Sequence, residues 1–88
     1  MSAHKLKIIK DIADRTAIVD RYYRTHTVDR DYIIKLIQDK KMEDPQILFS
    51  SAQVQAVIGS TPYEKVTDEN LIKEVELQIA ILQDELKS

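Results

Sequence analysis

The sequence has no cysteine, no tryptophan, one glycine and two prolines among its 88 residues. Without cysteine the chain can form no disulfide and no thiolate-based zinc, iron–sulfur or nucleophilic site. A single glycine excludes a glycine-rich phosphate-binding loop. Because glycine and proline interrupt regular structure, their scarcity favours long helices over a β-sandwich or barrel.

Hydrophobic residues make up 43% of the chain and charged residues 32%, which predicts one small folded domain over residues 1–88. The net charge of −2 provides no global attraction to nucleic acid or to an anionic membrane. No segment approaches the roughly 18 consecutive apolar residues of a membrane span, and the first residues lack the apolar core of a secretory signal. We therefore expect a cytoplasmic protein with no membrane partner.

Hydrophobic periodicity and capping residues predict an all-α bundle of about four helices, with long first and last helices. Ser2, Asp29 and Asp44 are suitable N-caps, and Gly59 is suited to the end of a helix. A strand remains an alternative at 53–58. A single turn is predicted at 62–65 before the last helix, and one continuous helix from Pro62 is the alternative. The predicted helices cover residues 3–24, 30–41, 45–58 and 68–87.

The first predicted helix carries an apolar stripe, spaced in alternating steps of three and four and broadened by Leu6, Ala13 and Ala17. Acidic and basic residues at i,i+4 spacing occupy the other side, where Arg15 would follow Asp11. This pattern predicts that the stripe faces the core and that Arg15 faces solvent. The stripe consists of Ile9, Ile12, Thr16, Val19 and Tyr23.

The last predicted helix carries the most regular pattern in the chain, a short coiled-coil-like seam. We call it the C-terminal seam, and it consists of Ile72, Val75, Ile79, Leu82 and Leu86. The seam can be an interface with another chain or the internal core of a bundle. Leu71, Leu77 and Ile81 lie outside it, so the helix has more than one apolar side and could do both.

No arrangement typical of a metal, cofactor or catalytic site is present. Neither histidine, His4 or His26, has a second histidine at helical spacing, and no HExxH or ExxH motif occurs. A helix-turn-helix is disfavoured because residues 45–58 contain no lysine or arginine. A small helical enzyme remains an alternative, and it would require a polar pocket lined by several of Arg15, Arg24, Lys35 and a carboxylate.

These observations predict a small non-enzymatic protein–protein interaction module, such as an adaptor, a regulator or an assembly component. It would self-associate, as a homo-oligomer, or dock a partner helix through its last helix. The predicted interface comprises the C-terminal seam and Tyr23, whose aromatic ring beside Arg24 has the composition of an interface anchor. The alternatives are the small helical enzyme and a nucleic-acid-binding regulator.

Overall fold

A computed structural model of the chain describes residues 2–43 and 66–87. These ranges contain three helices and no strand, so the predicted all-α class is confirmed for the described residues. The helices are α1 (Ala3–Thr25), α2 (Arg30–Glu43) and α3 (Asp68–Lys87). The helix predicted at 45–58, its strand alternative at 53–58 and the turn at 62–65 lie outside the described residues.

Each described helix begins at a side chain that caps it. Ser2 Oγ accepts a hydrogen bond from Lys5 N at 3.2 Å, and Asp29 Oδ1 accepts one from Tyr32 N at 3.2 Å. Thr67 Oγ1 accepts a hydrogen bond from Asn70 N at 3.2 Å. Such caps satisfy backbone N–H groups that have no partner within the first turn of a helix.

α1 ends at Thr25, and the C-cap residue His26 adopts the left-handed conformation with φ of 56°. Its backbone N–H donates to the carbonyl of Tyr22 at 2.7 Å. Glycine is the residue most often found at this position, because it has no Cβ to clash there. The sequence signal for this end was therefore weak, and only the two threonines beside His26 indicated a break.

Ion pairs between the helix ends define the topology. Lys7 near the start of α1 pairs with Glu43 at the end of α2 at 3.2 Å. Arg30 at the start of α2 pairs with Asp68 at the start of α3, and Lys40 lies 3.6 Å from Glu85 near the ends of both helices. α2 and α3 are therefore parallel, and α1 is antiparallel to both.

The core lies where the three helices meet. α2 contributes Ile33 and Ile37. Val66, which lies just before α3, covers the core at the end where α2 and α3 begin. Val28, which precedes α2, also packs against this cluster. The hydrophobic core cluster consists of Ile33, Ile37, Val66, Leu71, Ile72 and Val75.

The orientation of α1 differs from the one its apolar stripe predicts. Ile8 and Arg15 are the buried residues of α1, while Ile9 is 37% exposed and Tyr23 is 59% exposed. The buried side is therefore rotated by about one residue, or about 100°, from the predicted one. α1 is apolar around more than half of its circumference, so its sequence permits both orientations, and packing against two neighbouring helices selects one.

Candidate functional site

The most unusual interior residue is Arg15, which is only 3% exposed. Its Nε donates to Gln78 Oε1 at 2.9 Å. Its two terminal nitrogens donate to the carbonyl oxygens of Asp11 at 3.1 Å and Leu36 at 3.3 Å. The guanidinium group therefore joins α1, α2 and α3, and the prediction that Arg15 faces solvent is wrong.

Burial lowers the pKa of the Arg15 guanidinium, since removal from water disfavours its charged form, and the carboxylates of Asp11 and Asp14 oppose this effect. An arginine side chain nevertheless stays protonated in proteins. A buried charge is tolerated only when polar groups surround it, which is the role of the three acceptors around Arg15. The cluster thus holds a permanent positive charge between the helices.

Two further polar residues of α3, Glu74 and Gln78, lie in the interior and were not singled out from the sequence. Both are almost fully buried, and they are separated by one helical turn on the same side of α3. Gln78 Nε2 has no hydrogen-bond partner in the part of the chain that the structure describes. A signal existed in the sequence, because both residues follow a core residue, Leu71 or Val75, at helical spacing.

A charged cavity of about 220 Å³ lies between α1 and the C-terminal half of α2. Lys7 pairs there with Asp11 at 3.0 Å and with Glu43 at 3.2 Å. The hydrogen bond to Asp11 raises the pKa of Lys7, and burial opposes the effect. The cavity is lined by Lys7, Asp11, Arg15, Leu36, Asp39, Lys40 and Glu43.

This cavity matches only part of the polar pocket that the alternative of a small helical enzyme requires. It contains Arg15 and three carboxylates, but Arg24 and Lys35 are exposed and do not line it. Arg24 instead pairs with Asp20 at 3.0 Å. Because three cations and three carboxylates line the cavity, its charges balance without a bound ion.

A second cavity, of about 270 Å³, opens between α1 and the start of α2. Its apolar lining includes Ile18, Val28 and Ile33, with Arg21 and Asp29 among its polar residues. His26 does not line it, because the imidazole packs edge-on against Tyr22 with 6.0 Å between ring centres. His26 therefore terminates a helix and contributes nothing to this cavity.

The predicted interface residues divide into two groups. Ile72, Val75 and Leu82 are buried within the chain itself. Ile79 and Leu86 are half-buried, and the exposed Tyr23 donates from its hydroxyl to Glu76 Oε1 at 3.0 Å. The C-terminal seam therefore supplies much of the core. The predicted interface remains a prediction, to which only Ile79, Leu86 and Tyr23 could contribute from the surface.

α1 and α3 together present an uncharged surface, which we call the contact face. The Tyr23–Glu76 hydrogen bond shows which sides of the two helices adjoin. Positions seven apart share a side of a helix, so Ile9 and Thr16 lie on the Tyr23 side of α1, and Gln83 lies on the Glu76 side of α3. The contact face consists of Leu6, Ile9, Ala13, Thr16, Ile79, Ala80, Gln83 and Leu86, all exposed or half-buried.

Most charged residues of these segments point away from the contact face, and Lys10 borders it while paired with Asp14 at 2.9 Å. On α1, Lys7 and Asp11 line the charged cavity and Asp14 lines the second one, both against α2. On α3, Glu85 faces α2 through Lys40, and Asp84 lies only at the border of the contact face. The face is therefore apolar or neutral for about three helical turns, in a chain of which 32% is charged.

The two ends of the contact face differ in charge. At the end formed by the start of α1 and the end of α3, Lys5 and Lys87 are exposed and make no ion pair with any described residue. At the opposite end lies Glu76, beside two internally paired sets, Asp20–Arg24 and Glu69–Lys73. The face is thus positive at one end and negative at the other.

No protein-family model, curated protein or solved structure matches this chain. None of the three described helices is both long and apolar enough to cross a bilayer. Within residues 2–43 and 66–87, no three His, Asp or Glu side chains are placed to hold a metal ion together.

Proposed function

We propose that this protein is a small helical interaction module that works by contact with another protein surface, and that the contact face of α1 and α3 is its binding surface. This proposal keeps the function expected from the sequence but moves the surface. The C-terminal seam contributes only Ile79 and Leu86, while α1 contributes Leu6, Ile9, Ala13 and Thr16.

The observation that carries the proposal is the exposure of apolar side chains on a neutral face. Leu6 is 55% exposed and Ile9 is 37% exposed, at neighbouring positions of one helix. An isolated exposed leucine needs no explanation, but apolar residues clustered on adjoining helices and bordered by charge are typical of an interface. The absence of charged residues from the centre of the face is likewise typical of an interface.

The energetics require contributions from both helices. Complete burial of one leucine or isoleucine side chain is worth about 1.5–3 kcal/mol. Association costs about 4–15 kcal/mol in lost freedom and in ordering of side chains. Leu6 and Ile9 together could supply at most about 3–6 kcal/mol, near the lower end of this cost, so we expect the partner also to cover Ile79 and Leu86 on α3.

A photo-crosslinking amino acid at Ala13, the centre of the α1 part of the face, tests the proposal in cells that produce the protein. We expect a discrete protein adduct with this variant and none with the same amino acid at Lys35, an exposed position on α2. Adding Ile9→Asp should abolish the adduct. If Ala13 yields no adduct beyond that of the Lys35 control, the proposed function is wrong.

The charged cavity beside Arg15 supports a second candidate function, the binding or conversion of a small polar molecule. A buried guanidinium and the almost buried ammonium of Lys40 line this opening of about 220 Å³. A ligand that binds there would raise the melting temperature of the protein, and Lys40→Met would remove the rise. A panel of small carboxylates and amino acids that leaves the melting temperature unchanged would eliminate this candidate.

A further inference from the structure

The contact face has a property that its apolar character does not require, namely opposite charges at its two ends. Lys5 is exposed at one end, without an ion pair to the described residues, and Glu76 lies at the other. Ala13 lies near the middle, eight residues after Lys5 and ten residues before Tyr23, which holds Glu76. If a second copy of the face is rotated by 180° about an axis at the level of Ala13, its Glu76 end therefore lies near the level of Lys5 of the first copy.

We propose that the partner at the contact face is a second copy of this chain, related by a two-fold axis near Ala13 and Gln83, so that the two faces run antiparallel. In this arrangement Lys5 of each copy pairs with Glu76 of the other. The inference rests on the proposed function, because it names the partner of the same surface. It also explains why the charges are placed at the ends of the face and not within it.

The apolar residues have the same approximate symmetry. On α3, Ile79 precedes Gln83 by four residues and Leu86 follows it by three. A two-fold axis at Gln83 therefore places Ile79 of one copy at the level of Leu86 of the other. A surface that meets its own symmetry mate must be self-complementary in this way, and two-fold dimers are the commonest protein oligomers.

A parallel arrangement of two copies is disfavoured by the same charges. It would place Lys5 beside Lys5 and Glu76 beside Glu76, and like charges across an interface oppose association. The pairing of Tyr23 with Glu76 does not compete with the antiparallel arrangement. A carboxylate has about four acceptor positions, so Glu76 can accept from the Tyr23 hydroxyl and from a lysine of the other copy.

The absence of cysteine permits a direct test by disulfide formation between single introduced cysteines. We expect an equimolar mixture of Lys5→Cys and Glu76→Cys to form disulfide-linked dimers on mild oxidation. Lys5→Cys alone should form far fewer, because an antiparallel dimer keeps the two copies of residue 5 apart. Efficient cross-linking of Lys5→Cys to itself would overturn the proposed orientation.

Sedimentation velocity over a dilution series tests the association itself. We expect the wild type to dimerise and Ile9→Asp to raise the dissociation constant at least about tenfold, the loss expected for one buried apolar contact. Tyr32→Asp is the matched control, since Tyr32 is 43% exposed on α2, away from the contact face. Lys5→Glu should weaken the dimer, and Lys5→Glu combined with Glu76→Lys should restore it.

The two proposals fail in different ways. A purified chain that stays monomeric throughout the dilution series overturns the second-copy proposal. If Ala13 still cross-links another protein in cells, the proposed function stands with a different partner. If Ala13 captures nothing and the chain is monomeric, both proposals fall.

Discussion

α1 and α3 carry similar apolar stripes at alternating spacings of three and four, yet the fold uses them differently. On α3, the seam residues Ile72, Val75 and Leu82 are buried in the core. On α1, the stripe lies partly at the surface, with Ile9 and Tyr23 exposed. Periodicity therefore predicts that a helix has an apolar side, but it does not predict which neighbour covers that side.

The difference between the helices comes from the residues that accompany each stripe. On α3, the buried Leu71 and Gln78 adjoin the seam, and α1 and α2 together cover this side of the helix. α1 has a second line through the buried Ile8 and Arg15 and the half-buried Tyr22, and the hydrogen bond from Arg15 to Gln78 holds that line against the core. The stripe of α1 is displaced toward solvent as a consequence.

The largest expected effect is a contrast in stability between two leucines on these helices. Leu82→Ala should lower the free energy of unfolding by about 2–5 kcal/mol, because it leaves a cavity in the core. Leu6→Ala should change it by less than about 0.5 kcal/mol, because Leu6 is largely in solvent. Urea unfolding of both variants measures the contrast, and equal losses would contradict the assignment of the two stripes.

A second, smaller effect is expected at the residue that orients α1. Arg15→Met keeps the apolar stem but removes the donor to Gln78, which leaves the Gln78 amide oxygen buried without that partner. We expect a loss of about 1–3 kcal/mol in the free energy of unfolding.

Arg24→Met is the matched control for Arg15→Met. Arg24 is exposed and pairs only with Asp20, so its loss should cost at most about 1 kcal/mol. Equal effects of the two substitutions would show that Arg15 does not hold α1 in place.

The Tyr23–Glu76 bond between the helices predicts a pH dependence. Its carboxylate acceptor raises the pKa of Tyr23 above the ordinary value of 10.0. Because the folded-state pKa is the higher one, the stabilisation is fully present below pH 10 and is lost as the pH rises through the folded-state pKa. Lys7, whose pKa is raised above 10.5 by Asp11, contributes in the same direction.

Tyr23→Phe should therefore reduce the loss of stability at alkaline pH. Denaturant unfolding at a series of pH values from 8 upward measures this, and the absorbance change of tyrosine on ionisation reports the pKa directly. Tyr32→Phe is the control, since the Tyr32 hydroxyl makes no hydrogen bond to the described residues. If Tyr23→Phe and the wild type lose stability in parallel, Glu76 does not hold Tyr23.

The smallest expected effect concerns the end of α1. His26 has a φ of 56°, a conformation that costs a residue with a Cβ about 1–2 kcal/mol, although histidine tolerates it better than most. His26→Gly should raise the free energy of unfolding by up to about 1 kcal/mol, after the loss of the ring contact with Tyr22.

His26→Ala is the matched control for His26→Gly, because it removes the same ring without relieving the backbone. Thermal unfolding of the pair distinguishes the two effects. An increase in melting temperature with alanine as large as that with glycine would exclude backbone strain as the cause.

Most of the candidate site could not be read from the sequence. Ile79 and Leu86 are predicted as interface residues from their spacing and Tyr23 from its ring beside Arg24, and all three are at least partly exposed. The α1 part of the contact face was instead assigned to the core, because an exposed apolar residue and a buried one give the same periodic signal. The polar interior was missed because burial of Arg15 depends on Gln78, which is 63 residues away in the chain.

Local sequence determined the helical class and where the described helices begin. The caps at Ser2, Asp29 and Thr67 act within three residues, so short-range chemistry is sufficient to define them. Only tertiary packing decided which side of α1 is buried. The two apolar sides of α1 are nearly equivalent. Contacts between residues remote in the chain, above all Arg15 with Gln78, stabilise the orientation of α1 that buries one of these sides.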